Sequence, residues 1–144
     1  MAALNDATKA DIRPFLKRGG KLIVWQGGSD AALSVNSTID YMKRMQRAVG
    51  ASNAAASTRL YVAPGVNHCM GGAGADETDL LTALDQWVTK KVAPATLIAR
   101  KRDEHGTTVQ TRPLCQYPQY PRYVGKTGRS TAIAAAPNYV CASP

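Results

Sequence analysis

Lys21-Leu22-Ile23-Val24-Trp25-Gln26-Gly27-Gly28-Ser29-Asp30 is a short apolar run that ends in a glycine turn. A run of this length without polar alternation reads as a strand buried on both faces of a parallel sheet. A second run, Thr58 to Ala63, has the same character and is closed by Pro64-Gly65. Between the two an amphipathic helix is predicted from about Ser34 to Val49. Ile39, Met42, Met45 and Val49 recur at helical spacing, Ser34 or Asn36 can cap the start, and Gly50 can end it.

Strand, helix, strand is the crossover unit of a parallel α/β sheet. The remaining elements extend it. Residues 2–15 are predicted to be helical before the Gly19-Gly20 break. Residues 51–57, all small, read as a linker. A glycine-rich loop covers 66–74, and a helix is predicted over about 76–90. Leu80, Leu81, Leu84, Trp87 and Val88 would form its buried face, with acidic residues at its start and lysines at its end. Thr96 to Arg100 is strand-like. From Asp103 onward periodicity is lost, and 112–141 is rich in Pro, Tyr and Arg. This stretch reads as a coat over the core. The chain is therefore taken as one unit over 1–144, a strand–helix core (1–102) with an irregular tail (103–144).

In open parallel sheets, chemistry gathers just beyond the C-terminal ends of the strands. Asp30 and His68 are predicted to lie there, each shortly after a strand. Neighbouring parallel strands are about 4.8 Å apart, so the two side chains can meet. A carboxylate that accepts from a histidine Nδ1–H fixes the tautomer and stabilises the imidazolium, which is the acid–base half of a nucleophilic hydrolase. Read from spacing alone, two other roles stay open. An Asp after a strand is often a turn former, and a His in a glycine-rich loop is often a surface residue.

Composition narrows the classes. The chain has 144 residues and a formal net charge of +8. The charge is dispersed. Only Arg100-Lys101-Arg102 is dense, and no aromatic-rich RNA motif or zinc-finger spacing accompanies it, so no nucleic-acid partner is expected. No stretch approaches the ~20 apolar residues of a membrane span, so no membrane partner is expected. The first residues show no signal peptide. No metal-ligand spacing is evident, and neither a metal nor a cofactor is expected. His105 lies in a charged turn and is expected to be exposed and non-catalytic. Of the three cysteines, Cys69, Cys115 and Cys141, one must lack a partner within an oxidised chain.

GGKLIVWQGGSD, STIDYM, RLYVAPGVNHCMGG, ALDQWV, the TRPLC string at 111–115 and the closing NYVC at 138–141 together resemble the tannase/feruloyl esterase family over nearly the whole chain. The resemblance implies an α/β-hydrolase fold of which this is the C-terminal part. It implies Asp30 and His68 as acid and histidine of a Ser-His-Asp triad, and an ester of a hydroxylated aromatic acid as substrate. It also implies a secreted or periplasmic full-length parent. A cysteine beside the family's serine bonds the one after the histidine, so Cys69 would look for a partner outside this chain. Cys115 and Cys141 would then pair with each other and staple the tail.

The chain departs from the family pattern in two places. No Gly-x-Ser-x-Gly string or Cys-Ser pair is present, and the large inserted lid that the resemblance implies is missing, so the chain is expected to be inactive alone. Ala31 also follows the acid where relatives commonly have proline, which leaves that loop looser. A non-catalytic truncated or binding domain is the alternative function. A homo-oligomer through an exposed strand edge is expected.

Overall fold

The computed structural model describes residues 8–125 and 130–144. β1 (Leu22–Gly27) and β2 (Thr58–Ala63) form a parallel pair, in register from Leu22 opposite Thr58 to Gly27 opposite Ala63. The crossover between them holds two helices. α2 (Val35–Val49) starts at Ser34, whose side chain accepts from the Asn36 N–H, and ends at Gly50. Met45 and Val49 are buried on it as the spacing predicts. The expected linker 51–57 is instead a helix, α3 (Ala51–Ser57). Gly50, at φ 89°, turns the chain between the two. The run is rich in alanine, the best helix former, which outweighs its linker-like composition.

The helix expected over 2–15 is reduced, in its described part, to α1 (Arg13–Lys17); residues before 8 lie outside the described ones. Ala10, Ile12 and Leu16 pack with Leu22 and Met42 against Met45, Val49 and Ala54. Beyond β2, α4 (Leu80–Lys90) begins later than the predicted 76. Asp79 caps it by accepting from the Thr82 N–H at 2.9 Å, and no acidic residue lies in its first turn. Trp87 is buried, beneath the Arg59 guanidinium at 4.6 Å and near the Lys21 ammonium at 5.3 Å. Leu81 is 79% exposed and Val88 is also exposed. The buried stripe runs instead through Leu80, Ala83, Leu84 and Trp87.

The tail expected to be irregular carries strands. The strand-like stretch Thr96 to Arg100 is β3 (Leu97–Arg102), and it pairs antiparallel with β4 (Thr108–Leu114) in the tail, with a register shift at Lys101/Arg102. β5 (Tyr120–Tyr123) pairs antiparallel with β6 (Tyr139–Ala142). A short helix, α5 (Ser130–Ile133), precedes the turn into β6. Cys115 and Cys141 are disulfide-bonded, tying the end of β4 to β6, and Cys69 is free and exposed.

The tail docks on the core through the Tyr117 N–H, which donates to the Leu60 carbonyl at 2.8 Å. The core itself centres on Tyr61, Ala63, Val66, Ala75, Ala99 and Leu114. Tyr61 is fully buried, and its hydroxyl donates to the Ala95 carbonyl at 2.8 Å. Burial pushes its phenol up to about 12. Among the described residues no helix is long and apolar enough to cross a membrane.

Candidate functional site

The site is made by two loops that leave β1 and β2 side by side. Gly28 donates its N–H to the Ala63 carbonyl at 2.8 Å, and Ser29 donates to the Val66 carbonyl at 2.9 Å. The parallel pairing thus continues past the strand ends. Gly27 permits this passage: a Cβ there would lie 1.8 Å from the Asn67 carbonyl oxygen.

His68 Nδ1 and Asp30 Oδ2 are 2.7 Å apart. The Asp30 side chain is 1% exposed and the His68 side chain 56% exposed. Oδ1 accepts from the Ala32 N–H at 2.8 Å and the Leu33 N–H at 2.9 Å; Oδ2 also accepts from the Gln26 amide at 3.0 Å. The Leu33 N–H foremost holds the Asp30 carboxyl down at about 2. Burial opposes this, and the Ala32 N–H and His68 add to it. An ionised carboxylate only accepts, so His68 Nδ1 is the donor and the neutral ring carries its lone pair on Nε2. Nε2 has no hydrogen-bond partner among the described residues. The arrangement is a histidine with one nitrogen steered by a buried anion and the other open.

Three supports of this site were not read from the sequence. Gln26 appeared only as part of a strand, although a polar residue at the end of an apolar run is a visible signal. Asp76, assigned to a helix start, instead accepts from the Gly71 N–H at 2.6 Å and closes the histidine loop. Lys101, part of the dense basic run, donates to the Gly72 carbonyl at 2.6 Å and pins the same loop. Gly72, at φ 84°, sits where a Cβ would come within 2.3 Å of the Gly65 oxygen. His105 is exposed, in the turn between β3 and β4, and is not brought to the site.

Ser29 is exposed and adjacent to the acid, but its hydroxyl makes no hydrogen bond with His68 among the described residues. Among the described residues no cluster of three or more His, Cys, Asp or Glu side chains could hold a metal ion. A cleft lined by Pro64, Ala75, Arg112 and Tyr139 contains neither Asp30 nor His68. It is not part of this constellation.

Known proteins contain a similar segment. The family model described as tannase and feruloyl esterase matches residues 1–142. The chain is 43% identical over 142 residues to a mono(2-hydroxyethyl) terephthalate hydrolase of Piscinibacter sakaiensis, covering 97% of this chain and 23% of that protein. It is 39% identical over 119 residues to a probable feruloyl esterase of Arthroderma benhamiae, covering 80% of this chain and 22% of that one. In structure it resembles an esterase from Aspergillus oryzae with a TM-score of 0.79 and 27% identity, over 93% of this chain and 29% of the other. The chain thus spans about a quarter of the length of these relatives. Its strands, its helices and its Asp30–His68 loops fall within that matched segment, and the chain belongs to the tannase and feruloyl esterase family.

Proposed function

We propose that Asp30 and His68 are the acid and the base of a serine carboxylic ester hydrolase whose nucleophile lies outside these 144 residues. The observation that carries the reading is the 2.7 Å contact of a buried, ionised carboxylate with Nδ1 of an exposed histidine whose Nε2 is open. In the reaction Nε2 takes the proton of an approaching serine hydroxyl as that oxygen attacks the ester carbonyl. The imidazolium then gives the proton to the leaving alcohol, and the same nitrogen deprotonates the water that releases the acid. Asp30 holds the ring and stabilises its charged form. The substrate class is an ester of a hydroxylated aromatic acid. The names of the relatives support an aromatic acyl group, since one is a terephthalate monoester hydrolase and another a probable feruloyl esterase. The Cys115–Cys141 disulfide supports a secreted or periplasmic setting, because such bonds persist in oxidising compartments.

The test is a chimera in which this chain replaces the corresponding segment of the Piscinibacter sakaiensis relative. The chimera is expected to hydrolyse methyl ferulate or a terephthalate monoester. His68→Ala should lower kcat by at least ~10³-fold, as removal of a triad member does. Turnover that survives His68→Ala overturns the assignment. Ordinary esterase turnover by the 144-residue chain alone overturns the claim that the nucleophile lies elsewhere.

A further inference from the structure

Two of the hydrogen bonds on Asp30 come from its own loop. The Ala32 and Leu33 N–H groups follow the acid by two and three residues, so they move with it. They shape the turn without fixing it to the sheet. The loop has Ala31 and Ala32 after the acid and no proline to stiffen it, and residues 31–33 are exposed. A carboxylate in such a loop needs an anchor on a rigid element if it is to meet the histidine consistently.

Gln26 supplies that anchor. It is on β1, one residue before the strand ends. Its Nε2 donates to Asp30 Oδ2 at 3.0 Å and lies 3.4 Å from the Leu33 carbonyl, so one amide reaches both ends of the acid's loop. The Gly27 carbonyl is also 3.4 Å from it. Its Oε1 accepts from the Thr38 hydroxyl at 3.0 Å, and Thr38 is on α2. The orientation of the amide follows from these partners. Reversed, its oxygen would face three oxygens, one of them charged, so only the observed orientation satisfies every group.

We propose that Gln26, oriented by Thr38, is the positioning residue of the acid, fixing the Asp30 carboxylate and its loop to the β1–α2 framework. This rests on the reading of Asp30 and His68 as an acid–base pair. Outer partners of this kind act through the group they hold and touch no reacting atom. Thr38 is the more informative half, because its hydroxyl bonds Gln26 rather than the acid or the imidazole.

The experiment follows the His68 Nδ1–H proton of the 144-residue chain by proton–nitrogen NMR and measures its exchange with water. In the wild type the proton is protected, and Asp30→Asn removes that protection. Gln26→Leu is expected to speed exchange about 10-fold, the scale of losing a hydrogen bond to a charged acceptor. Thr38→Val should speed it about 3-fold, as loss of a neutral hydrogen bond does, and Thr38→Ser, which keeps the hydroxyl, should restore the wild-type rate. A merely structural role for the Thr38 methyl would give the opposite order for Val and Ser. If Gln26→Leu fails to fold, the Thr38 pair decides alone. Exchange within twofold of wild type in both Gln26→Leu and Thr38→Val, with Asp30→Asn still effective, overturns this proposal and leaves the pair standing. A wild-type proton that is unprotected and indifferent to Asp30→Asn overturns the pair and this proposal with it.

Discussion

Gly27 and Asn67 pass so closely that a Cβ on Gly27 would stand 1.8 Å from the Asn67 carbonyl oxygen and 2.6 Å from that of Val66. Both obstacles are backbone, so neither can swing aside as a side chain would. The residue after Asn67 is the histidine, and the acid lies three residues beyond Gly27. Glycine at 27 is what lets the two loops run in contact.

Gly27→Ala is therefore expected to push the loops apart by an ångström or more. The strain of inserting a methyl into a tight contact is about 1–3 kcal/mol. The expected result is a lower midpoint in urea unfolding together with loss of the protected His68 Nδ1–H signal. A variant with wild-type stability and an intact signal would show that the loops accommodate the methyl at little cost.

Asp30 makes stability depend on pH in a definite direction. Its carboxyl is lowered from 3.8 to about 2 in the fold, chiefly by the Leu33 N–H. A group with a depressed folded value contributes stability that is complete above its unfolded value. That contribution is lost as pH falls through the folded value. The window is thus from about pH 4 down to about pH 2. In Asp30→Asn, the part of the acid limb that belongs to this group should vanish, so unfolding should respond less steeply to pH over that range. A wild-type slope in the variant would place the dependence on other carboxylates, such as Asp79, which the Thr82 N–H also lowers.

How much of this was legible beforehand depended on local punctuation. β2 was bounded correctly because Pro64-Gly65 marks its end, and α2 because Ser34 and Gly50 mark both of its ends. The same glycine and proline signals placed Asp30 and His68 at strand ends, where their side chains meet at 2.7 Å. The misses have a different cause. β3 runs two residues past the strand-like Thr96 to Arg100, through Lys101-Arg102, and β4 contains Pro113, which lies opposite Ile98 in the ladder. Charge and proline suppress a strand reading, yet edge strands tolerate both. Leu81 and Val88 looked like core because they are apolar, but the face of α4 is set by Trp87 and its cations. Gln26, Asp76 and Lys101 act through distant or loop partners that no periodicity encodes.

The cysteines should divide cleanly in chemistry. Cys69 is exposed, whereas Cys115 and Cys141 are bonded over a separation of 26 residues. A thiol reagent should label Cys69 alone in the native, unreduced chain. Cys115→Ser should cost roughly 3–4 kcal/mol in the chain-entropy picture, because it removes a loop closure from the unfolded chain. Mapping of peptides under non-reducing conditions checks the pairing. A bond from Cys69 to either partner would contradict it and would free the β4–β6 staple.

The last expectation concerns the outer side of β1. Among the described residues β1 pairs with β2 alone, so its other edge carries backbone N–H and carbonyl groups that no strand takes up. Leu22, Ile23, Val24 and Trp25 along it are only half-buried. Ala10, Ile12 and Leu16 pack with Leu22 toward Met45, on the helical side, and leave the edge itself unpaired among the described residues. An apolar edge of this kind is a template for another strand, and a single charge at its start, Lys21, blunts it little. Lys21 is in addition drawn away, its ammonium bonded to the Ala56 carbonyl at 2.8 Å. We propose that the 144-residue chain associates with itself through this edge at micromolar concentration. Light scattering should give a mass at least twice 15.3 kDa that falls on dilution. A sharp monomer peak for the isolated chain, unchanged over time and concentration, would mean that the edge is covered from within the chain.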